Sequence, residues 1–357
     1  MNLDRRISRS IFSLHVCALA GLLLVCSAAS CQASDPGATA STAGASPAKA
    51  SPAGDPPPGA GSGKVVLLVN GEPIYEQGLS AGLPQDAFKE TLDAARDIKL
   101  ERLTGTLVMQ QFLKSRKIEV AQREVEEDLA DLKKNPPSAG CPCCRYKSLE
   151  EYMALNYITP VELAQMSRNH LGFQKYLESE WQKAYPTPQA KADLLKEKRP
   201  DLEKKYAKAY HIFFNVVQDP DAKSDPDAVQ KKKQALADEA WNRLQRGETF
   251  GAVAKAVSED KMSAAEGGFL GYVTQGAFGK EFSEALFKMT PGTVSKPLAS
   301  PWGWHIIRRE PLTDEDLLAI LKEDYIGDKA QTIVDAINND AKIERPGAAP
   351  PSTTPGK

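Results

Sequence analysis

The sequence predicts an α+β fold: one compact unit of strands and helices, preceded and followed by mainly helical segments. Three observations lead there. Residues 208–310 alternate strand-type and helix-type runs in the order strand, helix, helix, strand, helix, strand. Residues 64–200 and 313–346 carry apolar side chains at helical spacing, with strand patterns only at "KVVLLVNGEPI" (64–74) and "AKIE" (341–344). Residues 31–63 and 347–357 lack the large apolar side chains from which a core is built. The chain has 357 residues, enough for two modest domains. Its net charge is −2, with no basic stripe, so nucleic acid is not an expected partner.

Residues 1–30 read as a leader, not as fold. Arg5, Arg6 and Arg9 form a basic region, and the apolar stretch Ile11 to Val25 is short for a membrane span. "SAASCQ" (27–32) then resembles a bacterial lipoprotein signal, which implies lipidation of Cys31. Ala28 stands where that signal usually carries leucine, and plain cleavage beside small residues is the other reading. Either way the expected location is the bacterial cell envelope, with the domains facing the periplasm. Two or more acyl chains on Cys31 anchor a protein firmly to a membrane, whereas one binds only marginally. Gln32 lacks the aspartate that marks inner-membrane retention in enteric lipoproteins, which leaves open which membrane carries the anchor. Residues 31–63 are almost all Ala, Pro, Gly, Ser and Thr, a flexible tether of about 30 Å.

The helical segment opens with a strand, Val65 to Val69, and the turn signal Asn70-Gly71. Ala87 to Lys117 places Ile98, Leu103, Leu107 and Leu113 on a helical stripe, and Val120 to Lys134 forms a second run. Ser148 with Glu151, and Thr159 with Glu162, are capping boxes that start two more helices. In the α+β unit, "AYHIFFNVV" (209–217) reads as a strand, and Asp225-Pro226 begins a helix ending near Gly247. Thr249 to Val257 and Lys280 to Met289 are helices, while Gly268 to Val273 and "WGWHIIRRE" (302–310) are strands. Asp314 to Asn338 makes one or two further helices.

"YHIFF", "SEDKMSAAEGGFLGY" and "GWHII", in this order and at these separations, resemble the parvulin family of peptidyl-prolyl isomerases over residues 205–312. The resemblance implies a small antiparallel sheet flanked by helices. It matches His211 and His305 to the two strand histidines, and Asp260 to the position held by aspartate or cysteine. Leu270, Phe278 and Phe282 match the slot for the substrate's proline ring. Trp302 falls where many members carry a small hydroxyl residue, and Phe269 where an acid is frequent; Trp302 is expected at the pocket rim. The loop "QDPDAKSDPD" (218–227) is acidic, so a phosphoserine-proline substrate is not expected.

The implied chemistry is rotation about an X–Pro bond, whose barrier is about 20 kcal/mol because the twisted amide loses resonance. It needs no cofactor, metal or covalent intermediate, only a site that favours the twisted amide. Asp260 is expected beside the carbonyl, with the histidines fixing each other's tautomers. Plainer readings stand beside these. Two inward histidines also make a satisfied core pair, Asp260 also suits a turn or helix end, and Phe278 with Phe282 suits a core stripe. Gly267-Gly268 reads as a backbone corner. Beyond residue 30 the chain has three histidines, and two fall on matched positions. The third, His170, reads as ordinary helix surface.

Residues 64–200 and 313–346 resemble the chaperone part of SurA-type and PrsA-type foldases, in which the parvulin unit is inserted between N-terminal helices and a returning C-terminal segment. That resemblance implies unfolded or partly folded exported polypeptides as partners. A holdase whose parvulin unit binds peptide without catalysis is the alternative. "GCPCCR" (140–145) brings Cys141, Cys143 and Cys144 together. In an exported chain a Cys141–Cys144 disulfide is the plain reading, with redox or metal roles open beside it.

Overall fold

The computed structural model describes residues 59, 61–84, 88–137 and 146–346. The leader, Cys31, most of the tether, Cys141, Cys143, Cys144 and the 347–357 tail lie outside the described residues. The chain divides into two compact units, one built from the segments up to Lys183 and from Tyr325 onward, the other from Ala184–Asp324. The second unit is therefore an insertion in the sequence of the first.

The first unit opens with the hairpin β1 (Val65–Val69) and β2 (Glu72–Tyr75). Asn70 and Gly71 both have positive φ, 51° and 83°, the two left-handed residues that a tight hairpin turn requires. A short helix α1 (Glu76–Ser80) leads to the long α2 (Lys89–Ser115), then α3 (Gln122–Lys134), α4 (Leu149–Leu155) and α5 (Pro160–Ala184). Thr159 and Glu162 form the expected reciprocal cap, at 3.2 and 3.1 Å. Ser148 accepts from the Glu151 amide, but the Glu151 carboxylate turns to the amide of Lys147 instead.

A charged cluster lies inside this unit. Lys99 of α2, with no exposed surface, meets Glu162 at 2.9 Å and donates to the carbonyls of Ala81 and Tyr157. Arg102, one turn on, donates to the carbonyls of Asn156 and Tyr157, both at 2.9 Å, and lies 3.5 Å from Glu162. Burial lowers the proton affinity of both cations, and Glu162 opposes that.

The second unit begins with α6 (Pro188–Lys205), which runs directly into β3 (Tyr206–Asn215). Then follow α7 (Pro226–Gln245), α8 (Phe250–Val257), the one-turn α9 (Lys261–Ala265) and β4 (Phe269–Thr274). The unit continues through α10 (Gly279–Lys288), β5 (Thr293–Val294), β6 (Leu298–Ser300) and β7 (Gly303–Glu310). A single helix, α11 (Asp314–Asp340), supplies residues to both units, and β8 (Ile343–Glu344) ends the described chain by pairing with β1. Val334 and Ala330 of α11 join Leu113, Phe173 and Leu177 in one core of the first unit. The sequence reading has no counterpart for α9, β5 and β6, because two- to five-residue elements leave no periodicity.

The sheet of the second unit is antiparallel throughout, in the order β4-β3-β7-β5, with β6 also paired to β7. Strand alternation sorts its two faces. Ile212, Phe214 and Ile306 pack under α7 and α8 with Ala237, Phe250 and Val253. Ala207, Ala209 and Ile307 pack on the opposite face with Phe282 and Leu286 of α10. His211 and His305 belong to that second face by the same alternation.

Candidate active site

His211 and His305 sit on the paired strands β3 and β7, offset diagonally, with His211 opposite Ile307 and His305 opposite Phe213. Their side chains are both buried, and their Nδ1 atoms lie 3.4 Å apart. Phe213 stacks on His305 with ring centroids 4.6 Å apart, and the edge of Phe282 faces the same ring at 5.3 Å. Burial, and secondarily the neighbouring His211, push His305 down to about 3, so it is neutral at physiological pH.

Asp260 lies at the N-terminus of α9, where its Oδ1 accepts from the amides of Met262 and Ser263. Its Oδ2 lies 2.9 Å from His211 Nε2 and accepts from the Ser263 hydroxyl at 2.6 Å. The His211 hydrogen bond, with support from Ser263, holds the carboxyl well below the usual carboxylate range against the opposing effect of burial. Asp260 is thus an N-cap, not the end of the preceding helix, and it also pairs with a histidine.

The hydroxyl that meets His305 comes from Ser300, at the end of β6, 2.9 Å from Nε2. Sequence reasoning missed it and looked instead to Trp302, which sits in the β6–β7 turn, half exposed. The Trp302 ring lies over Gly279, at the start of α10, so closely that a Cβ there would meet it at 2.5 Å. Trp302 donates its amide to Ser300 Oγ and accepts from the Val216 amide.

Ser300, His305, His211 and Asp260 therefore form one continuous hydrogen-bond chain. An ionised Asp260 only accepts, so His211 Nε2 carries a proton and donates to it. If Ser300 donates to His305 Nε2, then His305 Nδ1–H donates to His211 Nδ1. If Ser300 donates instead to the Gly303 carbonyl, 3.1 Å away, the direction reverses, with His305 Nε2–H donating to Ser300.

Beside this chain lie the apolar residues expected to form a slot. Phe278 and Phe282 have ring centroids 5.2 Å apart, and both turn edges toward His211, at 6.3 and 6.2 Å. Phe282 is fully buried, while Leu270 and Phe278 are part-buried in the same cluster. Arg309 of β7 fixes α10 beneath them by donating to the carbonyls of Leu286, Phe287 and Met289, at 3.4, 3.1 and 2.8 Å. Phe269, where an acid is frequent in the family, packs against Tyr210 and Tyr272.

The Gly267-Gly268 corner serves the backbone. Gly268 has φ +90°, and a Cβ on it would stand 2.4 Å from the His211 carbonyl. Its own carbonyl accepts the His211 amide at 2.7 Å, so the corner brings β4 to the back of the site.

Residues 211–311 match the model of the PPIC-type PPIASE domain, the rotamase family. Among curated relatives, the chaperone SurA of Pseudomonas putida is 30% identical over 165 residues, covering 43% of this chain and 38% of that protein. The foldase protein PrsA of a Geobacillus species is 32% identical over 114 residues, covering 32% and 41%. This chain thus matches well under half the length of these relatives. The crystal structure of PrsA from Bacillus subtilis aligns with 79% of this chain and 94% of its own, at 23% identity and a TM-score of 0.41. Residues 211–311, which bring two histidines, an acid and an apolar cluster together, thus match the PPIC-type PPIASE domain, in a chain similar to the chaperone SurA and the foldase PrsA.

Proposed function

We propose that the protein is a peptidyl-prolyl cis–trans isomerase and chaperone that assists the folding of exported polypeptides. The observation that carries this reading is the Ser300–His305–His211–Asp260 chain, with Phe278 and Phe282 of the apolar cluster against His211. The proline ring enters the apolar cluster, and the preceding carbonyl comes to rest near Asp260 and His211. There the carboxylate disfavours the charge separation of the planar amide, and the fixed rings cost no reorganisation as the bond twists. Proton transfer to substrate is not required.

Catalytic roles thus go to His211, Asp260 and His305, with Ser300 orienting His305, and substrate contact to Leu270, Phe278, Phe282 and Trp302. The names of the relatives, a chaperone and a foldase, support extending the reading to unfolded exported chains. The leader and Cys31 support a lipid-anchored envelope protein. Among the described residues, no helix is long and apolar enough to cross a membrane.

The test measures cis–trans isomerisation of a proline peptide and aggregation of an unfolded client together. Acceleration by the wild type that is lost in Asp260→Ala supports the enzyme. Suppressed aggregation with no acceleration by the wild type leaves only a holdase. For the anchor, lipid labelling that survives Cys31→Ala would refute acylation at that residue.

A further inference from the structure

Lys233 is a buried cation of α7 that the chemistry above does not use. Its Nζ lies 2.6 Å from Glu259 Oε1 and 3.2 Å from Asp219 Oδ2. Asp219, in the loop after β3, also meets Lys232 at 3.4 Å. Glu259 immediately precedes Asp260, and its other oxygen accepts the Asn215 amide at 2.6 Å. The Glu259 amide donates to the Phe213 carbonyl at 2.8 Å, and the Phe213 amide donates to Ser258 Oγ at 3.1 Å.

These bonds have a structural cause. β4 pairs with β3 only from Tyr206 to Tyr210, after which the His211 amide bonds to Gly268. The rest of that edge, Phe213 to Asn215, is completed by Ser258 and Glu259. The register of Asp260 against His211 is therefore set by three bonds, and one of them depends on the Glu259 carboxylate. That carboxylate stands next to Asp260 and near Asp219, and Lys233 is the buried cation between Glu259 and Asp219. Lys261, the nearest cation in sequence, is turned to the Ser258 carbonyl.

We propose that Lys233 is a positioning residue for the isomerase site: by clamping Glu259 and Asp219 it holds the 258–260 segment along β3, so that Asp260 meets His211. The proposal rests on the reading of Asp260 and His211 as the reacting site. Lys233 touches no substrate. Its removal leaves Glu259 uncompensated and Asp219 to Lys232 alone, and frees the segment that carries the acid.

The experiment uses the full chain, with two readouts. The first is kcat/KM for a proline peptide. The second is the proton resonance of His211 Nε2–H in 15N-labelled protein, which a merely structural loss elsewhere would not move. Lys233→Met, which keeps the apolar stem, is expected to lower kcat/KM about tenfold and to broaden or shift that resonance. Adding Glu259→Gln removes the uncompensated carboxylate and is expected to restore part of both signals. Glu259→Gln alone, a shape-preserving change, serves if Lys233→Met does not fold, and predicts a smaller change in the same resonance. A folded Lys233→Met with wild-type turnover and an unmoved His211 resonance overturns the clamp, as does an unmoved resonance in Glu259→Gln when only that variant folds. If the wild type itself shows no isomerisation, the proposed function fails instead, and the His211 resonance alone decides the clamp.

Discussion

The two units each bury a polar network, and the networks end differently. In the first unit, Lys99 and Arg102 share Glu162 and the carbonyls of Ala81, Asn156 and Tyr157, with every charged partner enclosed. In the second, the chain from Ser300 through both histidines ends at Asp260, whose side chain is 29% exposed, while Phe278 and Phe282 face His211. The first network joins the start of α5 to α2 and to the segment after α1. The second leaves one acid part-exposed with both buried rings behind it. Both networks are mostly buried, and they differ in that the second ends in a part-exposed acid.

This contrast breaks most visibly at Glu162. Its removal in Glu162→Ala leaves two buried cations without a carboxylate, and is expected to destabilise by about 3–5 kcal/mol. Denaturant unfolding followed in the first unit would report it, with no change in isomerisation while the protein stays folded.

The second network responds to pH instead. His305 is neutral when folded, while an unfolded histidine protonates near 6.5. Its contribution is complete above about pH 6.5 and falls as pH drops toward about 3, a loss of about 5 kcal/mol. Asp260 has the opposite charge but the same direction: its lowered carboxyl stabilises fully above the unfolded value near 4, and that contribution fades only as pH falls further toward its depressed folded value. Urea midpoints between pH 7 and pH 4 should fall in wild type and fall less in His305→Gln.

The smallest effect is at the rim. Trp302→Ser removes a half-exposed ring from Gly279 and is expected to cost about 1 kcal/mol of stability, read by thermal unfolding. A larger loss would mean that Trp302 belongs to the core of the unit and not to its edge.

The sheet of the second unit was legible because strand alternation in "AYHIFF" and "GWHII" separates inward histidines from inward aliphatics. Asp260 and the aromatic slot were legible through the spacing of the parvulin pattern. Ser300 was not, because a three-residue strand carries no periodicity and its hydroxyl acts across a turn. Lys233 was hidden in "QKKKQ", where three adjacent lysines read as solvated helix surface, yet only tertiary packing selects which one points inward. Lys99 and Arg102 were hidden for the same reason, and Glu162 was read as a helix cap, which is half of what it does.

The central claim, that the open network catalyses rotation of X–Pro bonds, is tested most directly by one comparison. Isomerisation of a Leu-Pro peptide is measured for wild type, Asp260→Ala and Glu162→Ala, each at a temperature where unfolding curves show it folded. The account predicts a loss on the order of 100-fold in kcat/KM for Asp260→Ala, and wild-type turnover for Glu162→Ala. Equal turnover by wild type and Asp260→Ala would contradict it.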